Sequence, residues 1–285
     1  MKSPLLSRMV KGSPMGTIGL CLMVILVLLA LFATILSPEN PLEQDLSARN
    51  KPPGWEDAKG RAHYLGTDYL GRDILSRMLF GLRISMLIGF GAVMLAAILG
   101  IGLGVIAGYA AGPLDAIIMR IVDIQLSFPF ILLAIVWVAF IGSGLWHMIL
   151  IIALVRGWVD FARVVRGEVL SAKELNFVEA AKALGASHSR ILLRHILPQV
   201  VAPILVIATL MVGRAIVMES TLGFLGLGVP PPSPTLGGML SDGRSYIQSA
   251  WWLVTFPGLL IMLIVLSANT MGDGLRDVLD PKLKR

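Results

Sequence analysis

Apolar residues run together along this chain in six long stretches instead of alternating with polar ones. Residues 15–36, 84–108 and 251–271 carry no charge at all. The stretch 116–142 holds Arg120 and Asp123, the shorter 145–162 holds Arg156 and Asp160, and 199–222 holds Arg214 and Glu219. A hydrocarbon core about 30 Å thick takes roughly 20 apolar residues in helix. The pattern therefore predicts an all-α integral membrane protein of six transmembrane helices.

Two features modulate those helices. Gly100, Gly104 and Gly108 fall four apart, so they share one face of the second span and predict a close helix contact. That face is expected to pack and to play no part in transport chemistry. Pro129 and Pro257 each remove a ladder hydrogen bond, which predicts kinks in the third and sixth spans.

Between the fourth and fifth spans the pattern changes. Residues 171–198, SAKELNFVEAAKALGASHSRILLRHILP, form a charged insert in a chain with little other water-facing length. Ser171 and Glu174 fit a capping box. Leu175, Val178, Ala181 and Leu184 make one apolar stripe, opposite Lys173, Glu179 and Lys182. Gly185 suits a helix C-terminus, Ser187 a second N-cap, and Pro198 the point where the chain re-enters the membrane. Ala180, Ala181 and Ala183 predict close docking on a protein groove in preference to lipid or nucleic acid.

Composition agrees with the pattern. Of 285 residues 56% are hydrophobic and 15% charged, where a soluble domain averages about 25% charged. The net charge of +6 reads as a topology signal. Lys2, Arg8 and Lys11, the six Lys or Arg of 163–198, and Arg276, Lys282, Lys284 and Arg285 fall on one side by parity. That side is expected to be cytoplasmic, with both termini on it. Arg72, Arg77 and Arg83 in the first external loop dissent. The first apolar run exceeds a signal-peptide core and no cleavage pattern follows it, so a retained span is expected.

Candidate chemistry is sparse. Cys21 is the lone cysteine and excludes an internal disulfide; His63, His147, His188 and His195 are dispersed, so no metal centre is expected. There is no P-loop, nucleophile elbow or H-E-x-x-H pattern, so the chain is expected to be no enzyme by itself. A charge at mid-membrane costs about 2.5–3.5 kcal/mol on insertion scales, which makes Arg214 and Glu219 candidate pathway residues. Lying about 140° apart around a helix, each must meet another helix, a partner or water. For Glu219 the competing reading is solvation or capping near the outer end; for Arg120, Asp123, Arg156 and Asp160 it is structural pairing or snorkelling.

Glu179-Ala180-Ala181, then Gly185, then Leu197-Pro198 resembles the EAA loop of ABC importer permeases, and His195 within RHILP is similar to the peptide and nickel branch. Leu65 to Asp68, Leu70 to Asp73, Ser76-Arg77, Arg163 to Arg166, Phe224 to Gly228 and Gly272 to Asp277 extend the likeness to the C-type dipeptide/oligopeptide subunits over most of the chain. The resemblance implies a type I importer permease fold with cytoplasmic coupling helices. It implies that Glu179, Ala180, Ala181, Gly185, Leu197 and Pro198 contact ATPase subunits, which carry ATP and Mg; this chain itself carries no cofactor. It further implies a second permease and a periplasmic binding protein docking on the first external loop or on 223–250. Residues 1–36 would form the N-tail and first helix, 37–82 the periplasmic loop, with structural GTD and GRD turns. Residues 83–272 would form the transport domain and 273–285 the cytoplasmic tail, in a bacterial inner membrane. The expected cargo is a di- or oligopeptide, with nickel chelates, glutathione or opines as alternatives. An ATP-independent secondary transporter or channel is the rival from another class.

Overall fold

The computed structural model describes residues 13–58 and 60–279. Lys2, Arg8, Lys11, Lys282, Lys284 and Arg285, part of the charge argument for orientation, lie outside the described residues.

All six apolar stretches are helical. α1 spans Pro14–Leu31 and the short α2 Ala33–Leu36. A loop carrying a two-stranded antiparallel hairpin, β1 Trp55–Glu56 and β2 Ala62–His63, leads to α3, Ile74–Ala110. α4 (Gly112–Ser127) and α5 (Phe130–Ile141) follow. α6 (Leu145–Ile152) continues through a π turn, Ala153–Gly157, into α7 (Trp158–Lys173). α8 (Asn176–Ala183) and α9 (His188–Ile191) make the insert. A second π turn, Leu192–Ile196, joins α9 to α10 (Leu197–Phe224); α11 (Leu236–Gly243) and α12 (Trp252–Leu279) complete the order.

Among the described residues, four helices are long and apolar enough to cross a membrane, or up to five if the bent pair α4–α5 is one span. Counting six spans also requires the 145–162 stretch, which is helical but sits deep in the chain, with Met148, Ile151, Ala153, Val159 and Phe161 all buried.

The glycine stripe does what its spacing predicts. A Cβ on Gly100 would lie 2.4 Å from the Trp158 carbonyl oxygen, and one on Gly104 2.6 Å from that of Ala162. α3 and α7 therefore meet backbone to backbone. Pro129 does more than kink the third stretch: Phe128 is extended, as a residue before proline prefers, and α5 leaves α4 at 97°. Pro257 ends nothing; α12 runs on through it.

Helix directions sort the molecule into two ends. At one end α1 delivers Glu39, whose backbone N–H donates to Ser76 Oγ at 3.1 Å, and the loop caps α3. At the other, α3 finishes beside the insert, and Ser13 lies 3.4 Å from Asp277 Oδ2. The insert and the described ends of α1 and α12 thus share one end of the bundle.

The GTD and GRD turns are structural, as expected. Asp68 Oδ1 accepts from the backbone N–H groups of Leu70 and Arg72, and its Oδ2 takes Arg72 Nε at 2.6 Å. Asp73 caps α3 by accepting from Ser76 N at 2.8 Å. Arg72 and Arg77 are buried and reach Asp68 and, across the chain, Asp242 at 3.6 and 3.3 Å. Two of the three arginines that dissented over topology are thus held in internal ion pairs.

Candidate functional site: the 171–198 insert and a charged helix face

The insert begins later than its sequence indicates. α7 runs through Ser171 to Lys173, so the Ser171–Glu174 capping box does not form. Val165, Val169 and Ala172 bury the last turns of α7 and favour continued helix over a new start. Lys173 Nζ then donates to the carbonyls of Gly108 and Tyr109 at 3.3 and 2.9 Å, where cations suit a helix C-terminus. α8 starts at Asn176 after Leu175, with no side-chain cap; Ser187 is the N-cap residue of α9, its carbonyl accepting from Ile191 N–H at 3.0 Å, but its side chain makes no cap bond.

Within α8 the expected stripe splits. Val178 and Ala181 are buried against α7 and α9, whereas Leu175 is 41% and Leu184 88% exposed. Ala181 therefore seats the helix on its own chain. Glu179, Ala180 and Ala183 face outward. Gly185 has φ +75° and completes a Schellman end: its N–H bonds the Lys182 carbonyl at 2.9 Å, and that of Ala186 the Ala181 carbonyl at 3.0 Å.

Leu197 and Pro198 lie where the insert joins α10, half-buried and exposed respectively. Pro198 does not stop the helix. The π turn before it widens the backbone, with Leu197 N–H bonding the Leu192 carbonyl, and the proline starts α10. His188 Nδ1 lies 2.8 Å from Tyr109 Oη, a second tie between the insert and the end of α3. Asp115 on α4 binds Arg166 on α7 at 2.5 and 2.6 Å. The insert therefore exposes Glu179, Ala180 and Leu184, while contacts with α7, α3 and α10 hold its base.

The charged face lies further along the bundle. The π turn at Ala153–Gly157 frees carbonyls that Gln125 Nε2 (2.5 and 2.7 Å) and Trp158 Nε1 (2.9 Å) take up. It sets Arg156 on Asp160 at 3.6 Å, and Arg214 of α10 reaches the same carboxylate at 3.7 Å. The Arg214 side chain is still 62% exposed in this chain. Asp123 likewise pairs with Arg163 at 3.0 Å, the structural pairing expected of it.

Glu219 has a different setting from Arg214. It is fully buried between α10 and α3, accepting from Ser85 Oγ at 2.9 Å and Ser220 Oγ at 3.3 Å. Solvation near the outer end is thereby overturned, and in this chain Glu219 opens onto no surface. The Arg214–Asp160 contact joins stretches far apart in sequence, and only the intramembrane position of both charges signalled it.

The chain resembles known proteins along most of its length. Residues 100–285 match the family model described as "Binding-protein-dependent transport system inner membrane component", and residues 7–53 that of the "N-terminal TM domain of oligopeptide transport permease C". The dipeptide transport system permease protein DppC of Alkalihalophilus pseudofirmus is 47% identical over 97% of this chain and 89% of its own length. The protein of that name from Haemophilus influenzae is 44% identical over 94% and 90%. The probable D,D-dipeptide transport system permease protein DdpC of Escherichia coli is 41% identical over 96% and 90%. Among solved structures, the MetNI methionine ABC transporter in inward-facing conformations matches with a TM-score of 0.59. At 21% identity, over 70% of this chain and 95% of that one, it shows the fold alone. With these matches, the chain belongs to the binding-protein-dependent transport system inner membrane components, the permease subunits of ABC importers.

Proposed function

We propose that this chain forms part of the translocation pathway for di- or oligopeptides, beside a second homologous permease and above two ATPase subunits. The observation that carries this reading is near full-length likeness to relatives named for dipeptide transport, at 41–47% identity. ATP and Mg belong to the ATPase subunits, which dock on Glu179, Ala180, Gly185, Leu197 and Pro198, with Ala181 seating α8 beneath them. The insert end faces the cytoplasm and both termini with it; residues 37–82 and 223–250 face the binding protein. Residues 83–272 constitute the transport domain.

Reconstitution with both permeases, ATPases and binding protein should give ATP-dependent uptake of a labelled dipeptide, measured in proteoliposomes. Uptake of nickel chelates, glutathione or opines in place of dipeptide would reassign the cargo. ATP-independent uptake by this chain alone would replace the importer reading with a secondary transporter or channel.

Arg214 is the pathway residue this reading favours. An exposed guanidinium well inside a membrane helix must face water or a partner, because lipid would cost about 2.5–3.5 kcal/mol or more. A cation there suits the carboxylate of a passing peptide. Arg214→Gln is expected to lower dipeptide uptake about tenfold with assembly unchanged; unchanged uptake removes Arg214 from the pathway.

A further inference from the structure

We infer that the loop between α2 and α3 holds a divalent transition-metal site built from Glu39, Asp57 and His63. One ligand atom from each lies within 4.8 Å of the other two. Zinc bonds to nitrogen and oxygen are about 2.0–2.2 Å, so each atom need move inward by under about 1 Å. Histidine nitrogen and carboxylate oxygen are both zinc donors, and three protein ligands with a fourth position open is the ligand count of catalytic zinc sites.

The histidine is already oriented. His63 is buried, and its Nδ1 lies 3.0 Å from Asp73 Oδ1, so its Nε2 is turned toward Glu39, 3.9 Å from Oε1. A carboxylate behind the far nitrogen fixes tautomer and ring angle in the way metal-bound histidines require. The Trp55 ring stacks on His63 at 5.5 Å and closes one side.

A second observation points to cation binding. The Glu39 side chain is 10% exposed, and its Oε1 has no hydrogen-bond partner among the described residues. Around it, among the described residues, stand the carboxylates of Glu43, Asp57 and Asp73, with Arg61 and His63 as the opposing groups. Burial pushes the Glu39 carboxyl above its ordinary range, against the pull of His63 and Arg61. Four carboxylates with one arginine leave excess negative charge for a divalent ion.

Arg61 bridges two of the three ligand candidates. Its Nε lies 2.7 Å from Asp57 Oδ2 and 3.4 Å from Glu39 Oε1. With its side chain 32% exposed it can swing out, toward Glu43 at the rim. Arginine and metal thus compete for the same two carboxylates. The ion would join the exit of α2, the hairpin and, through Asp73, the cap of α3.

The test titrates Zn2+ into the assembled, nucleotide-free transporter and measures ions retained per complex. Wild type should retain one ion more than Glu39→Gln, and His63→Gln should lose the same ion. Both substitutions are close in size, and a circular dichroism spectrum and melting curve without metal verify that they fold. Arg61→Ala should tighten retention about tenfold, because it removes the competing cation. Equal retention by wild type and Glu39→Gln, or weaker binding in Arg61→Ala, overturns the site.

Discussion

Glu179→Lys should abolish transport while leaving the chain inserted and folded. Glu179 sits exposed on α8, so its replacement disturbs no core and should change stability by under about 0.5 kcal/mol. In the proposed assembly that carboxylate is buried against an ATPase subunit. Removing one partner of such a buried contact costs about 2–5 kcal/mol, and a lysine adds repulsion. ATPase co-purification should fall by at least about thirtyfold and uptake with it. Gly185→Val provides a second route to the same loss. There the obstacle is conformational, since no atom lies within 4 Å of a Cβ at Gly185, yet φ +75° is forbidden to a β-branched residue. Normal ATPase binding and transport in both variants would sink the coupling assignment.

The other large effect lies inside the bundle. Gly104→Val should leave little folded protein, because its Cβ would meet the Ala162 carbonyl oxygen at 2.6 Å and the Ala162 Cα at 3.1 Å. Those are backbone atoms of α7 and cannot rotate aside. Ordinary overpacking costs about 1–3 kcal/mol, and here the backbones of two long helices must separate as well. Gly102 is the control on the same helix, with nothing within 4 Å of its Cβ. Gly102→Ala should be neutral, or stabilise by up to about 1 kcal/mol through removal of a helical glycine. Thermal melting in detergent reads both, and a Gly104→Val protein as stable as wild type would show that α3 and α7 do not meet in this way.

Glu219 marks where reading by residue type alone fell short. Charge and apolar neighbours placed it beside Arg214 as a pathway candidate. Burial against Ser85 separates the two, and Arg214 alone keeps an open face. The residues of the proposed metal site would share that limit. His63 stands far in sequence from Glu39, and no local spacing pattern joins them; the hairpin turn brings Asp57 and His63 back beside the exit of α2.

What the sequence determined by itself is what depends on near neighbours. Apolar runs dictated helices, the four-residue glycine spacing dictated the α3 face that meets α7, Gly185 the end of α8, and the EAA pattern the family. The tertiary structure decided the rest. It carried α7 through Ser171, because burying Val165, Val169 and Ala172 outweighs a local cap. It let the helix pass Pro198 through a π turn. It turned Ala181 inward and Glu179 outward, and chose Asp160 for Arg214 and Asp242 for Arg72 and Arg77. Helix propensity and hydropathy act within a few residues, but which charges meet depends on how distant helices pack. That is set by shape and burial summed over the whole bundle.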